Sequence, residues 1–231
     1  MSIPSARPAV DPAAHCTVSM AGERLLLLPE KAVFWPAEGM LIIADIHFGK
    51  AASFRALGVP VPRGTTTENL LGLDALVERH GAQHVVFLGD FLHARAAHAS
   101  STQQAMLAWR NTRRDLRLTL VRGNHDRHAG DPAAALGIEL VDEPHAVGPF
   151  AFCHHPDLEM GDDAGYALAG HVHPAWVLAT RFDSLRLPCF VVGTQRMILP
   201  SFGSFTGGHT VQREAGDSIF VTSGEAVHSV R

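Results

Sequence analysis

Metal-binding residue types recur at one kind of place in this sequence, the end of a short apolar run. "LIIADIHFGK" stops at Asp45 and His47, "HVVFLGD" at Asp90, and "LRLTLVRGNHD" at Asn124 and His125. Further on, "FAFCHHP" ends at His154 and His155, and "YALAGHVHP" at His171 and His173. One such residue marks only where the chain leaves the core. Five ends in succession form a set, and the set points to metal chemistry. Imidazole, carboxylate and amide carbonyl without thiolate suit manganese, iron or zinc better than they suit a cysteine-rich structural zinc site. Seven or so donors exceed one tetrahedral ion and match two ions sharing a carboxylate. Two ions ~3.5–4 Å apart hold a hydroxide between them and clamp the attacking and leaving oxygens of an in-line displacement at phosphorus.

Placing these residues together requires strands whose carboxyl ends share a crevice, as in open α/β sheets. "GMLIIAD", "HVVFLGD" and "LRLTLV" are the continuous apolar runs of strands buried on both faces. Helices separate them. Thr65-x-x-Glu68 offers a capping box to a helix with Leu73, Leu76, Val77 and His80 on one face, ended by Gly81. Ser101-x-x-Gln104 does the same for a helix carrying Thr102, Ala105, Met106 and Trp109. "TVSMAGERLLLLPEKAVFWP" reads as a pair of strands with turn residues Ala21-Gly22 and Pro29. Residues 48–64, with Gly58, Pro60, Pro62 and Gly64, read as a long loop of the functional kind. After Pro174 strands follow without helices: "AWVLATRF", "LPCFVVGTQRMILPS" and "DSIFVTSG". No repeat or linker divides the chain, so one α/β domain over 1–231 is expected, with residues 1–15 a flexible tail.

Composition restricts the partners. The chain has 231 residues, 46% hydrophobic and 18% charged, enough for a substantial core. A net charge of −4 supplies no overall basic field for nucleic acid or anionic lipid, so such contacts must be local. Cys16, Cys153 and Cys189 form no C-x-x-C pair, which suits a reducing, cytoplasmic setting. The first residues lack the apolar core of a signal peptide, and "RLLLLPEKAVFW" is too short and interrupted to span a membrane. The excess is in histidine, with 15 residues.

D-x-H at Asp45 and His47, G-D at Asp90, G-N-H-D at 123–126, a later strand-end His and G-H-x-H at 170–173 together resemble the calcineurin-like metallophosphoesterases. That resemblance implies a four-layer α/β/β/α sandwich of two mixed sheets with flanking helices. It also assigns Asp45, His47 and His173 to one metal, Asn124, His154 and His171 to the other, and Asp90 to the bridge. His125 becomes the group that steadies the phosphate and protonates the leaving oxygen. Either histidine of "CHHP" could be the ligand; His154, directly after the apolar run, is preferred, with His155 beside it. His93 and Asp126 are candidates to hold neighbouring groups by hydrogen bonds.

"DIHFGKAASFRALGVPVPRGTT", "GDFLH", "GHVHPA" and "LPSFGSFTGG" are similar to the bacterial DNA-repair phosphoesterases associated with ligase genes. This narrower likeness implies a manganese-dependent DNA phosphodiesterase or endonuclease. Its partners would be DNA and, functionally, an ATP-dependent DNA ligase, a helicase and an exonuclease. Lys50, Arg55 and Arg63 lie beside the first metal motif and are the candidate phosphate-backbone contacts. Two other readings compete: a nucleotide or small-molecule phosphoesterase on the same fold, and a non-catalytic scaffold. Scaffolds lose ligands, whereas every metal position here is filled.

Overall fold

The computed structural model describes residues 14–61, 64–161 and 165–230. Strands β1 (Cys16–Met20), β2 (Glu23–Leu28), β3 (Ala32–Trp35) and β4 (Met40–Ile43) open the fold. Then come α1 (Lys50–Ala56), α2 (Thr65–His80), β5 (His84–Leu88), α3 (Ser100–Thr112), β6 (Arg117–Val121), α4 (Asn124–Ala129) and β7 (Glu139–Val141). The remainder is β8 (His145–Val147), β9 (Phe150–Phe152), β10 (Tyr166–Ala169), β11 (Pro174–Ala179), β12 (Ser184–Val192), β13 (Arg196–Ile198), β14 (His209–Thr210), β15 (Ser218–Thr222) and β16 (Val227–Val230).

β1 to β7 form one sheet in chain order, antiparallel up to β4 and parallel from β4 to β7. β8 to β16 form a second mixed sheet, in which β9, β10 and β13 run parallel. The two sheets pack face to face. Leu25, Leu27, Ile42, Val86 and Leu88 of the first bury against Phe150, Phe152, Leu168 and Phe190 of the second. Burying each such side chain contributes ~1.5–3 kcal/mol relative to exposure. Side chains on the other face of the first sheet, among them Leu41, Val85, Phe87 and Leu118, pack on Leu70, Leu73 and Leu76 of α2 and Met106 of α3. This is the α/β sandwich of two mixed sheets that the family resemblance implied. Among the described residues the four α-helices all precede β7, and the strand-rich C-terminal part adds none.

Local details differ from the expectations in four places. The stretch 17–36 holds three strands rather than two, because Pro29–Lys31 turns the chain a second time. Neither expected capping box forms. Thr65 is the first residue of α2 behind Gly64, and Ser101 lies inside α3 behind Ala99, with no side-chain cap in either case. The segment 48–64 contains helix α1, too short to show a period, which packs where Gly49 lies flush against Ala97. Most of the proposed tail lies outside the described residues.

Candidate metal centre

The apolar strands end where the side chains change character. Asp45 and His47 follow β4, Asp90 follows β5, Asn124 opens α4 after β6, His154 follows β9, and His171 and His173 lie in the turn between β10 and β11. A parallel bridge from Ala44 to Ser201, with Phe202 N–H donating to Ala44 O at 2.8 Å, ties the two sheets together at this edge. Both rows of strand ends therefore open into one crevice.

The backbone there is strained. Seven described non-glycine residues have positive φ, and five of them are Asp45, His47, Asp90, His171 and His173. Each such conformation costs on the order of 1–3 kcal/mol and persists only where surrounding structure imposes it. Glycines admit the ligands: a Cβ on Gly89 would overlap the His154 ring, and one on Gly123 would overlap Asp90.

Two donor clusters result. In the first, His47 Nε2 lies 3.2 Å from His173 Nε2, and His173 Nε2 lies 3.5 Å from Asp45 Oδ1. In the second, His154 Nε2 lies 2.9 Å from Asn124 Oδ1, 3.0 Å from His171 Nδ1 and 3.5 Å from Asp90 Oδ1. Asp90 stands between them, with Oδ1 toward His154 and Oδ2 3.7 Å from His47 Nε2. The deep groups are almost sealed: Asp45 is 1% exposed, Asp90 2%, His47 4% and His154 0%.

This geometry fits metal ions. Asp45 Oδ1, which faces His173 Nε2 in the first cluster, is buried without a hydrogen-bond partner, which in a dry site costs ~1–3 kcal/mol. Burial first, and Asp45 second, push the Asp90 carboxyl up to about 6. Burial also lowers His47, His154 and His171, favouring the neutral imidazoles that bind metal. The tautomers are fixed from behind. His154 Nδ1 donates to Leu88 O at 3.0 Å and His173 Nδ1 to Gly207 O at 3.2 Å, so each Nε2 presents a lone pair to the crevice.

The supporting residues fall into place around the clusters. His125 donates its backbone N–H to Asp90 Oδ1 at 2.9 Å and its Nδ1–H to His93 O at 2.7 Å. The His93 ring stacks on His125 with centroids 4.8 Å apart, and burial lowers His93 to about 4. Asp126, 1% exposed, accepts from Leu92 N at 2.9 Å and Gly123 N at 3.0 Å, locking two strand-end loops together. Lys50 stands at the start of α1 within the field of Asp45 and Asp90; burial lowers it and the two carboxylates oppose that. Arg55 instead lines a separate hollow with Thr65 and Ser101, and Arg63 lies outside the described residues.

Glu143 carries no local signal in the chain that points to this site. Its Oε2 accepts both the His154 N–H, at 2.8 Å, and the His155 N–H, at 2.9 Å, while Oε1 lies 2.7 Å from His155 Nδ1. Burial pushes this carboxyl up, but the hydrogen bonds from the histidines outweigh it and hold it below its usual value. Glu143 thus aims the His-His turn, and only the fold brings it there. Glu143→Ala is expected to weaken divalent-metal affinity about 10–100-fold, as loss of a ligand-orienting carboxylate does. Competition with a fluorescent chelator checks this. Unchanged affinity would make Glu143 a loop anchor only.

A protein of this fold, with an all-oxygen-and-nitrogen donor set at converging strand ends, is of the metal-dependent hydrolase class. The model for calcineurin-like phosphoesterases matches residues 40–157, and the chain belongs to that family and hydrolyses phosphoester bonds. Its family implies divalent metal ions, and among the described residues three groups of Asp and His could hold them: Asp45, His47 and His173; Asp45, Asp90 and His154; and His154, His155 and His171.

Among solved structures it is similar to the Pseudomonas putida nuclease MPE, at 41% identity over 94% of this chain and 100% of that one, with a TM-score of 0.82. It also matches the Escherichia coli phosphoesterase YfcE, at 14% identity over 83% of this chain and 97% of that one, with a TM-score of 0.42. A protein of unknown function from Aquifex aeolicus matches at 21% identity over 58% of this chain and 78% of that one, with a TM-score of 0.41. No curated protein matches. No helix among the described residues is long and apolar enough to cross a membrane.

Proposed function

We propose that this chain is a two-metal phosphodiesterase that cleaves DNA. The observation that carries the two-metal reading is Asp90, whose two carboxylate oxygens face separate donor clusters. Asp45, His47 and His173 would hold one ion, Asn124, His154 and His171 the other, with Asp90 shared. Bound there, divalent ions supply an acidified water as nucleophile and neutralise charge on the phosphoryl oxygens. Manganese is the proposed metal, with iron and zinc compatible with the same donors.

The chain's own groups do the rest. His125 presents Nε2 to the crevice, 3.9 Å from Asp90 Oδ2, because its Nδ1 is committed to His93 O. From there it delivers a proton to the departing oxygen. His93 holds that ring by its carbonyl and by stacking, and Lys50 offers a cation to the phosphate. His155, oriented by Glu143, borders the second cluster.

DNA as substrate is supported by the likeness to the Pseudomonas putida nuclease. A DNA-repair role beside an ATP-dependent ligase, a helicase and an exonuclease rests on the resemblance of the sequence motifs. The three unpaired thiols suit a cytoplasmic setting. The net charge of −4 favours a second reading, a small nucleotide substrate. A manganese-supplemented panel of single-stranded DNA, duplex DNA, cyclic nucleotides and a chromogenic diester decides between them. DNA cleavage that weakens steeply with salt is the expected result; turnover of cyclic nucleotides without DNA cleavage would overturn it.

A further inference from the structure

On the His173 side, the crevice opens into a cavity of about 230 Å³. At ~30 Å³ per water, that is room for about seven waters, or for a phosphate group and its immediate neighbours. Its walls are the turn bearing Lys31, the part of β12 around Arg186, and the glycine-rich stretch 201–208. Lys31 stands at φ 67° in the β2–β3 turn, and its Nζ donates to Gly203 O at 3.3 Å. Glu68 acts on it electrostatically, but among the described residues no carboxylate forms an ion pair with it, and burial lowers it to about 8. A half-buried ammonium with donors to spare is costly unless something anionic meets it. Arg186 Nη1 donates to Gly208 O at 3.3 Å, and among the described residues the rest of its fork is uncommitted. Ser204 adds a hydroxyl to the same wall, where the Thr206 hydroxyl donates to Gly203 O at 2.9 Å, and glycines at 207 and 208 keep it bare of side chains.

Cations, hydroxyls and exposed backbone around a small cavity are the chemistry of phosphate recognition. The cavity shares His173 with the metal centre, so a phosphate there lies next to the one being hydrolysed. The β11–β12 hairpin leaves this wall and, at ~3.3 Å per residue, ends about 20 Å away. At its tip Phe182 is 90% exposed with Arg181 5.5 Å over its ring, an arrangement on which a nucleobase can stack. We infer that the cavity is a second phosphate subsite, holding through Lys31 and Arg186 the phosphodiester adjacent to the scissile one in a polynucleotide strand. This rests on the phosphodiesterase reading above and deepens it.

The probes are two pairs of nucleotide esters with one leaving group, used with the manganese-loaded full chain. One pair is thymidine 5′-(p-nitrophenyl phosphate) with and without a 3′-phosphate. The other is thymidine 3′-(p-nitrophenyl phosphate) with and without a 5′-phosphate. The extra phosphate is expected to lower KM about tenfold or more in one pair, the worth of a charge-assisted contact. In Lys31→Met/Arg186→Gln the ratio of the two KM values should fall to about one. Arg186→Gln alone, an exposed change that leaves the Lys31–Gly203 contact intact, should lose part of the gain. No gain in either pair, or a gain that survives both variants, overturns the subsite. If DNA is cleaved all the same, the substrate reading stands without it. A gain that the variants abolish, in a chain that does not cleave DNA, keeps the subsite and overturns DNA as the substrate.

Discussion

Asp90→Asn is expected to lose metal from both clusters at once and to lower hydrolysis by on the order of 10³-fold or more, since the acidified water goes with the ions. The reason is geometric. Asp90 is buried with Oδ1 facing His154 and Oδ2 facing His47, so a carboxamide can turn a lone pair toward only one of them. Its carbonyl is held on the Oδ1 side by the His125 backbone N–H at 2.9 Å, which leaves the amide nitrogen toward His47. The fold should survive, because the replacement is isosteric and removes a charge that the metal-free protein tolerates poorly. The sign follows from the carboxyl's rise to about 6, above its ordinary 3.8. A group with a raised folded-state pKa loses stability as pH rises from the unfolded value through the folded one. Above pH 6 the metal-free parent therefore carries a penalty that the variant lacks. Elemental analysis together with metal-free thermal melts near pH 7.5 checks both halves. Two tightly bound equivalents in the variant would remove Asp90 from the bridge.

His125→Ala should separate binding from chemistry. The backbone N–H that supports Asp90 remains in alanine, so both metals should stay. What disappears is Nε2, held toward the crevice by the 2.7 Å Nδ1 bond to His93 O. Loss of a positioned general acid lowers kcat about 10²–10⁴-fold on DNA, whose alkoxide leaving group needs a proton. On a nitrophenyl diester, which departs unprotonated, the loss should shrink to a small part of that. Equal losses on both substrates would assign His125 to phosphate positioning instead. Parallel kinetics on the two substrates, with metal content measured on the same preparation, make the comparison.

Much of this site was legible in the chain because strand-end chemistry is local. A continuous apolar run that stops at Asp, Asn or His shows both that a strand is buried and which donors stand at its mouth. Five such stops announced the donor set, and the structure brings Asp45, His47, Asp90, Asn124, His154, His171 and His173 into one crevice. The preference for His154 over His155 rested on its place directly after the apolar run. The structure puts His154 Nε2 among Asn124, His171 and Asp90, while His155, whose Nδ1 faces Glu143, lies close enough to His154 and His171 to share a metal-binding group with them.

What the sequence determined by itself, then, was the alternation of strands and helices and the set of candidate donors at the strand ends, since both follow from residue type and short-range period. No local pattern says which donors share a cluster; the family resemblance supplied that grouping, and physically it depends on the two facing sheets being tied together at Ala44 and Ser201. Tertiary structure alone placed Glu143 behind the His-His turn and Lys31 beside Gly203, a contact 172 residues apart that no local pattern encodes. It also moved Lys50 and Arg55 to different hollows, because a seven-residue helix forms between them and turns them to different sides. The left-handed backbone at Asp45, His47 and Asp90 belongs here too: those residues do not favour it on their own, and the packed sheets around them impose it.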